Sequence, residues 1–305
     1  MIIRGFNEQQ ANDFIREATT NDAFKEAQSV ARRANNLEAL LGVYRSLEKQ
    51  RVGHDSIDRI CNLSPEEFHQ KYYVTNRPVV ITDLLNDWPA LRKWSPTYLR
   101  NRFENVLVKV QTNRKPNPVY EVFLKGHDTE VKFGDFMDTI DVAKPTNEYY
   151  LTANDGLLSI PDMRSLFDDF HPFPKYLTSA QTHQKQFIWI GPSGVVSPLH
   201  RDRLNVLMTQ VVGRKRVKLI HSAALPLIYN FESFFSAVDV DCPDLNRYPK
   251  FAKAEILEVE LEPGDALLIP VGWWHHVRAL EFSINVSFTN FAFPNDFENL
   301  YGHTT

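Results

Sequence analysis

Residues 257–270 read LEVELEPGDALLIP, and they carry the clearest strand pattern in the chain. Leu257, Val259 and Leu261 alternate with glutamates, which is typical of a strand that buries one face and exposes the other. The four residues ALLI at positions 266–269 form a second short apolar run of the strand type. We therefore predict two consecutive strands here, the first with an acidic outer face.

Similar strand patterns continue on both sides of this segment. Further strands are predicted at residues 187–190, 205–212, 216–220 and 283–288, and earlier ones at 77–81 and 106–110. The C-terminal half shows no alternation of strands with helices, which argues against a doubly wound parallel sheet. The predicted fold class is mostly β with α additions, as an antiparallel barrel or a double-sheet jelly roll with helices covering its N-terminal side.

The first 55 residues differ, because their apolar residues follow a helical period. Apolar positions share one helix face at residues 23, 24, 27, 30, 31 and 34, and again, after Asn35 and Asn36, at 37, 40, 41, 44 and 47. We predict an N-terminal helical extension at residues 1–55 and a main domain at residues 56–305. Both apolar stripes need a partner surface, either on the main domain or on a second subunit, so a homodimer through these helices is predicted as one alternative.

Composition limits the class of protein. Of the 305 residues, 43% are hydrophobic and 24% are charged, which supports a large buried core and an ordinary solvated surface. No run approaches the ~20 apolar residues of a membrane span, and the first ten residues lack the pattern of a secretion signal. Two cysteines cannot build a disulfide scaffold, and a net charge of -4 argues against nucleic-acid binding through bulk charge. We expect a cytoplasmic protein of the enzyme size class without a membrane partner. A nucleic acid is the less favoured partner, and a local basic face is the alternative that would allow one.

Histidine and aspartate side chains form one candidate site. His200 and Asp202 follow an H-x-D pattern, and residues two apart on a strand share a face. His275 and His276 come much later and face opposite ways on a strand, so only one of them can join the pair. Two imidazoles and one carboxylate are the ligand set of the non-haem Fe(II) oxygenases, which leaves coordination positions for a co-substrate and O₂. Histidines with purely structural hydrogen bonds are the alternative.

Lys215 is a second unusual residue. Alternation places it on the apolar face of its strand, whereas the other cations of that strand share the opposite, solvated face: Arg214, Arg216 and Lys218. A buried lysine is costly unless it pairs with an anion, and this strand contains no acid. A ligand carboxylate would serve, such as the one that 2-oxoglutarate carries at the end remote from its keto acid. The alternatives are an acidic partner elsewhere in the chain or a side chain that reaches the rim.

Several spaced motifs resemble the JmjC/cupin-like family of Fe(II)- and 2-oxoglutarate-dependent oxygenases. They are residues 200–202 (HRD), 210–216 (QVVGRKR), 263–270 (PGDALLIP) and 272–275 (GWWH). Upstream, residues 76–80 (NRPVV) and 88–95 (WPALRKWS) are similar to the N-terminal part of the same module. The resemblance extends over residues 57–295, and it implies a double-stranded β-helix of the cupin type with Fe(II), 2-oxoglutarate and O₂ as cofactor and co-substrates.

The resemblance also implies roles for individual residues. The implied iron ligands, which are also the catalytic residues, are His200, Asp202 and His275. Lys215 is implied to bind the distal carboxylate of 2-oxoglutarate, with help from the hydroxyl groups of Ser197 and Tyr150. Ser287 corresponds to a late polar residue near the iron and is a further candidate contact. His276 is then expected to support the site from outside or to lie at the surface.

One position departs from the family pattern. Many members carry an asparagine four residues after the aspartate, where this chain has Val206, and the asparagine is Asn205 instead. A shift by one residue turns a side chain to the other face of a strand unless a local bulge compensates. Asn205 is therefore a candidate co-substrate contact only if the strand is bulged there.

The reaction expected from the resemblance is hydroxylation of a protein or peptide side chain, with release of succinate and CO₂. Alternatives are a small-molecule or tRNA hydroxylase of the same family, or a cupin metalloprotein that does not use 2-oxoglutarate. N-demethylation would pass through the same hydroxylated carbon, and no residue named above separates the two outcomes. The family's halogenating variants lack the carboxylate ligand, so Asp202 favours hydroxylation.

Two further segments carry expectations. Residues 229–248 look like a long insertion near the ligand-bearing strand ends, and Phe234 and Phe235 in it are expected to shape the substrate pocket. Arg201 either lines the substrate mouth or makes a structural ion pair. The tryptophans are expected in the core, Trp189 among them.

Overall fold

The computed structural model describes residues 7–114, 128–141, 144–178, 185–232 and 234–301. The chain divides into two compact units, Met1–Arg51 and Val52–Thr305. The predicted domain boundary after residue 55 stays a prediction. The α-helices in the described residues are α1 (Glu8–Thr20), α2 (Asp22–Glu48), α3 (Pro65–Glu67), α4 (Ala90–Lys93), α5 (Pro96–Phe103) and α6 (Phe133–Asp141). None of the helices in these ranges is both long and apolar enough to cross a membrane.

The first unit contains α1 and α2. Asn7 caps α1 by accepting a hydrogen bond from the backbone N–H of Gln10 at 2.8 Å, and Asn21 caps α2 in the same way through Ala23. The helix α2 runs without a break through Asn35 and Asn36, where the sequence suggested two separate stripes, because asparagine costs a helix interior only a few tenths of a kcal/mol. No described residue of α2 is buried, and the predicted homodimer stays a prediction.

The second unit is built on two six-stranded sheets. The strands are β1 (Asp58–Ile60), β2 (Val79–Ile81), β3 (Leu107–Gln111), β4 (Asp128–Lys132), β5 (Gln186–Gly191), β6 (Val196–Arg201), β7 (Val206–Val212), β8 (Lys215–Ile220), β9 (Asn230–Glu232), β10 (Phe235–Ser236), β11 (Leu257–Leu261), β12 (Ala266–Ile269), β13 (Trp274–Ala279) and β14 (Ser283–Phe288). The first sheet has the order β1-β2-β12-β7-β14-β5, the second has the order β11-β8-β13-β6-β10-β9, and β3 pairs with β4. Apart from β1 with β2, the described pairs are antiparallel, which confirms the predicted mostly-β jelly roll with helical additions.

The two sheets pack against each other through alternate side chains. Val80, Met208 and Leu267 of the first sheet share a buried cluster with Val217 and Leu261 of the second. The opposite face of the first sheet is covered by helices and loops, in a larger cluster that contains Val79, Ile81, Trp88, Leu99, Phe136, Leu207 and Leu268. Because β12 lies between these two clusters, all four of its residues are buried, whereas β11 keeps its glutamates on an outer face.

Ion pairs cover that outer face of the second sheet. Glu260 lies opposite Arg216 in the β11–β8 ladder, and their side chains are 3.0 Å apart. Arg214 pairs with Glu281 at 2.8 Å, and Lys218 pairs with Asp241 at 2.7 Å. The basic face predicted for this strand is therefore neutralised by carboxylates.

Local sequence explains the short elements before the barrel. The Ser64 hydroxyl accepts a hydrogen bond from the backbone N–H of Glu67 at 3.1 Å, as a helix cap does, and Pro65 occupies the first helical position. A π-helical turn, Phe68–Tyr73, continues α3 and buries Phe68 and Tyr72. These residues attach the segment to the helical face of the first sheet.

Candidate metal centre

The metal-site candidates come together because β6 and β13 are neighbours in the second sheet. Their antiparallel ladder places His275 directly opposite His200, so both imidazoles project from the same face. The ring centres are 4.1 Å apart. The H-x-D pattern predicts His200 and Asp202 on one strand. Strand β6 instead ends at Arg201, so Asp202 lies in the turn that follows it. The backbone N–H of Gly272 bonds the Asp202 carbonyl at 3.2 Å and joins this turn to the loop before β13.

The three side chains offer converging ligand atoms. One ligand atom from each of His200, Asp202 and His275 lies within 4.8 Å of the other two. The closest ion-pair contact joins His275 Nε2 to the Asp202 carboxylate at 3.6 Å. Two nitrogens and one oxygen on one side of a point suit a first-row divalent metal with open positions on the other side.

Backbone carbonyls orient both imidazoles. His200 Nδ1 lies 2.7 Å from the Pro198 carbonyl oxygen, and His275 Nδ1 lies 3.1 Å from the Trp273 carbonyl oxygen. Because a carbonyl can only accept, each Nδ1 carries the proton, and each Nε2 keeps a lone pair directed at the shared point. His276 is the next residue on β13 and faces the other side of the sheet, so His275 is the one of the two that faces the candidate centre.

Burial keeps the His275 imidazole uncharged. Desolvation, with the neighbouring His200 ring as a second cause, lowers the pKa of His275 to about 4 although Asp202 acts in the opposite direction. A neutral imidazole is the form that binds a metal, so this ligand is ready at neutral pH without losing a proton.

A cavity of about 250 Å³ opens between the two sheets beside these ligands. Four of the five predicted co-substrate contacts line this cavity, namely Tyr150, Ser197, Lys215 and Ser287. The fifth, Asn205, does not line it. Apolar side chains close the rest, among them Val206, Met208, Ile269 and Val277. A site with few polar groups in an apolar wall is typical of small-ligand pockets.

Lys215 lies at this cavity with only 1% of its surface exposed. Its ammonium bonds the Asn285 side-chain oxygen and the Tyr150 hydroxyl, the latter at 3.2 Å. Neither partner carries a charge, and among the described residues no carboxylate lies within ion-pair distance of it. Burial therefore lowers the pKa of Lys215 to about 7. An anion in the cavity would remove this cost.

Asn285 is a site residue that the sequence reasoning missed. It lies on β14 two residues before Ser287, and its side-chain nitrogen is 3.3 Å from the Ser287 hydroxyl. The resemblance made Ser287 a candidate, and residues two apart on a strand share a face, so strand alternation would have placed Asn285 beside it. The sequence therefore carried a signal for this residue, which is an amide side chain two positions before Ser287 in the same predicted strand.

Asn205 and His276 lie away from the cavity. The Asn205 side chain bonds the backbone N–H of Val271 at 2.8 Å and the side-chain oxygen of Asn295 at 3.1 Å, so it fastens the loop before β13. Its expected contact with the co-substrate is therefore not supported by its position. His276 is buried on the other side of β13, with Nε2 3.6 Å from the Asp241 carboxylate.

A second, outer cleft of about 540 Å³ adjoins the first and shares its metal-site residues His200 and Asp202. The insertion supplies one wall, because β10 pairs with β6 and brings Phe235 opposite His200, while Phe234 lines the same cleft. Both phenylalanines thus line a cleft beside the candidate metal ligands, and that they shape a substrate pocket stays a prediction. Trp189 is half-buried and packs against the buried cluster of Tyr150, Val195 and Ala279, and it also lines both cavities. Arg201 lines the outer cleft.

Comparison with known proteins agrees with this geometry. Residues 65–297 match the cupin-like domain family. The chain belongs to this family. The predicted relationship to JmjC/cupin-like oxygenases is thereby confirmed, and the site fits the Fe(II), 2-oxoglutarate and O₂ that such proteins use. The cupin-like domain occupies most of the second compact unit.

Three curated relatives illustrate the kinds of protein to which this cupin-like protein is similar. It is 32% identical over 232 residues to lysine-specific demethylase 8 of Xenopus tropicalis, covering 74% of this chain and 50% of the relative. It is 31% identical over 287 residues to lysine-specific demethylase JMJ30 of Arabidopsis thaliana, covering 92% and 65%. It is 31% identical over 255 residues to tRNA wybutosine-synthesizing protein 5 of Gallus gallus, covering 78% and 76%. The chain thus spans between half and two thirds of the demethylases' length.

Proposed function

We propose that this protein is an Fe(II)- and 2-oxoglutarate-dependent oxygenase that hydroxylates a protein or peptide side chain and releases succinate and CO₂. The observation that carries the proposal is the pairing, across one cavity, of a two-histidine, one-carboxylate group with a buried lysine that has only neutral partners.

His200, Asp202 and His275 would hold the metal. Their donor set is that of the non-haem Fe(II) oxygenases, and it would leave coordination positions open for a co-substrate and O₂. When bound, Fe(II) couples the oxidative decarboxylation of 2-oxoglutarate by O₂ to oxidation of a substrate C–H bond. The Pro198 and Trp273 carbonyls fix the two imidazoles, so the chain supplies the ligands in the required tautomer.

Lys215 would bind the distal carboxylate of 2-oxoglutarate. Its ammonium is already held by Tyr150 and Asn285, so little side-chain freedom remains to be lost when the anion arrives. Ser197 and Ser287 line the same cavity and can donate hydroxyl hydrogen bonds to a bound carboxylate. The apolar walls exclude water, which strengthens the charge pair between the lysine and its ligand.

The structure bears on the alternatives. A cupin metalloprotein that does not use 2-oxoglutarate has no need of a buried cation in the cavity that its metal ligands line, so Lys215 counts against that alternative. A tRNA substrate remains the second candidate because of the relative named for wybutosine synthesis. However, the outward-facing cations on and beside β8, namely Arg214, Arg216 and Lys218, are each paired with a carboxylate and offer no free stripe for phosphates. N-demethylation, suggested by the demethylase relatives, would use the same chemistry on a methyl carbon.

The test uses 2-oxoglutarate decay without any added substrate. Purified protein with Fe(II) should form succinate slowly, and Asp202→Ala should abolish it because one of the three ligands is lost. Asp162→Ala removes an exposed carboxylate outside both cavities and should retain the wild-type rate. Equal succinate formation by the Asp202→Ala variant and the wild type would reject the oxygenase assignment.

A further inference from the structure

Strand β14 carries a row of polar side chains on the face that is directed at the second sheet. Its apolar side chains belong to the core cluster on the helical side of the first sheet: Ile284, Val286 and Phe288. The alternate residues are polar although all three are buried: Ser283, Asn285 and Ser287. A buried polar side chain needs hydrogen-bond partners, so the partners of Asn285 indicate what this part of the cavity can bind.

The ladder between β14 and β7 is irregular at Asn285. Ile284 lies opposite Val212, whereas Asn285 lies opposite Gln210, so the ladder skips one residue of β7 at this point. Such bulges often re-aim a side chain beside a functional site. Here the irregular pair includes the residue whose side chain reaches from the first sheet to Lys215 on β8 of the second.

The Asn285 amide has only one possible orientation between its two partners. An ammonium has N–H donors and no acceptor, so the atom that contacts Lys215 is the amide oxygen, which accepts this hydrogen bond. The amide nitrogen lies at the other end, 3.3 Å from the Ser287 Oγ, and donates to it. The Ser287 hydroxyl is the acceptor in that bond, and its own hydrogen can donate to a ligand oxygen in the cavity.

Asn285 gives Lys215 an acceptor without giving it a negative charge. Asparagine and aspartate have nearly the same shape, so a carboxylate at this position would reach the ammonium equally well and would neutralise it. Among the described residues that line the cavity, the one carboxylate belongs to the candidate metal ligand Asp202. Lys215 therefore keeps its charge for an anion that enters the cavity, and the amide holds the ammonium in place.

This neutral partner affects which ligands the cavity prefers. A ligand with a carboxylate at the Lys215 end gains a charge pair in surroundings with few other polar groups, where such a pair is stronger than in water. A ligand of the same length with a methyl group at that end gains nothing from the ammonium. If Lys215 were already paired with a carboxylate of the protein, the first ligand would lose its advantage.

We infer that Asn285 determines the charge selectivity of the cavity: as a neutral acceptor it holds Lys215 without neutralising it, so the cavity prefers a co-substrate with a second carboxylate. Asn285 is thus a specificity-determining residue. The inference rests on the proposed function, because it names what selects the co-substrate of the same site.

The test compares two keto acids that differ only at the remote end. 2-Oxoglutarate has a second carboxylate there, and 2-oxopentanoate has a methyl group on a carbon chain of the same length. Both are titrated by calorimetry, without oxygen, into wild-type and Asn285→Asp protein loaded with Mn(II). The wild type should bind 2-oxoglutarate at least about 30-fold more tightly, since losing one partner of a buried charge pair costs ~2 kcal/mol or more. Asn285→Asp should reduce this preference to less than about threefold, mainly by weakening 2-oxoglutarate binding.

Two further variants and one stability measurement serve as controls. Asn101→Asp makes the same change at an exposed position of α5, outside both cavities, and should keep the wild-type preference. Asn285→Ser is neutral, so it should weaken 2-oxoglutarate binding several-fold and keep the preference. In urea, metal-free Asn285→Asp should unfold at a higher concentration than the wild type, because the new carboxylate pairs with the buried ammonium.

A preserved preference in Asn285→Asp, or an equal loss of preference in Asn285→Ser, would overturn the inference. So would a lower urea midpoint for Asn285→Asp than for the wild type, because a buried cation would then not be gaining a counter-ion.

Succinate formation in air, measured on the same preparations, separates the inference from the proposed function. Succinate from the wild type together with a preserved preference in Asn285→Asp would reject the inference and leave the proposed function standing. A preference that is lost in Asn285→Asp, in a wild type that forms no succinate, would do the reverse. A wild type that binds both keto acids equally would reject the inference as well.

Discussion

Replacing the buried cation should make the ligand-free protein more stable while it destroys co-substrate binding. Lys215→Met keeps a long, unbranched side chain in the same space but removes the charge. In the wild type the ammonium is buried beside two neutral partners, Tyr150 and Asn285, and burial lowers the pKa of Lys215 from its ordinary 10.5 to about 7.

The size of the effect follows from this shift. A difference of about 3.5 pKa units corresponds to roughly 4 to 5 kcal/mol at ~1.36 kcal/mol per unit. The folded state binds the lysine proton less tightly than the unfolded chain does. The destabilisation of the folded state by the buried ammonium is therefore fully present below about pH 7, and it disappears as the pH rises from about 7 towards 10.5. Leaving Tyr150 and Asn285 without their hydrogen-bond partner costs about 1 kcal/mol each. The free energy of unfolding of Lys215→Met should therefore exceed that of the wild type by about 2 kcal/mol at neutral pH.

Urea unfolding at two pH values isolates the lysine. Between about pH 6.5 and about pH 9 the free energy of unfolding of the wild type should rise by about 2.5 kcal/mol more than that of Lys215→Met, because all other titrating groups are common to both proteins. Lys175→Met, an exposed lysine outside the cavities, is the control and should keep the wild-type pH dependence. Identical pH dependence in the wild type and Lys215→Met would refute the account of Lys215 as a buried, unneutralised cation.

Four further outcomes follow from the same contacts. Binding of 2-oxoglutarate to Mn(II)-loaded protein should weaken by up to about tenfold per pH unit above about 7, because Lys215 must then take up a proton, and calorimetry in buffers of different ionisation enthalpy should detect that uptake. Asn205→Ala should lower the free energy of unfolding by about 1 to 3 kcal/mol through the unsatisfied Val271 N–H, yet leave 2-oxoglutarate affinity within a factor of about two, as titration would show. Phe234→Ala should lower substrate-coupled turnover several-fold while substrate-free succinate formation is kept, since Phe234 lines only the outer cleft. If α2 joins two copies of the chain, Leu40→Glu should reduce the sedimentation mass to that of one chain, and an unchanged mass would argue against that dimer.

Strand periodicity explains most of what the sequence could predict. The alternation of residues 214–219 placed Lys215 in the interior and the other cations outside, and the structure agrees because β8 is regular and half-buried. The same rule, applied to β14, would have found Asn285 beside Ser287. The local sequence pattern was sufficient to predict which side chains face the interior wherever a strand has one solvent-exposed face and one buried face.

Predictions failed where a side chain's place depends on distant parts of the chain. Trp189 packs against a buried cluster, but its position in the sequence does not show that it also lines a cleft, because one wall of that cleft comes from the insertion that pairs with β6. Asp202 lies beyond the end of its strand, and only the bond between Gly272 and its carbonyl shows how the turn is held. Asn205 was ambiguous because its partners, Val271 and Asn295, come from the far end of the sequence.

The ladder between β6 and β13 has a consequence for how the protein folds. His200 and His275 become neighbours only when two strands that are remote in the sequence have paired, and such long-range pairing is formed slowly. If a divalent ion binds at this site, we therefore expect it to bind after these two strands have paired and not to nucleate the barrel from the unfolded chain. Metal should accordingly slow unfolding and raise the melting temperature in proportion to the logarithm of its concentration, while the refolding rate stays the same.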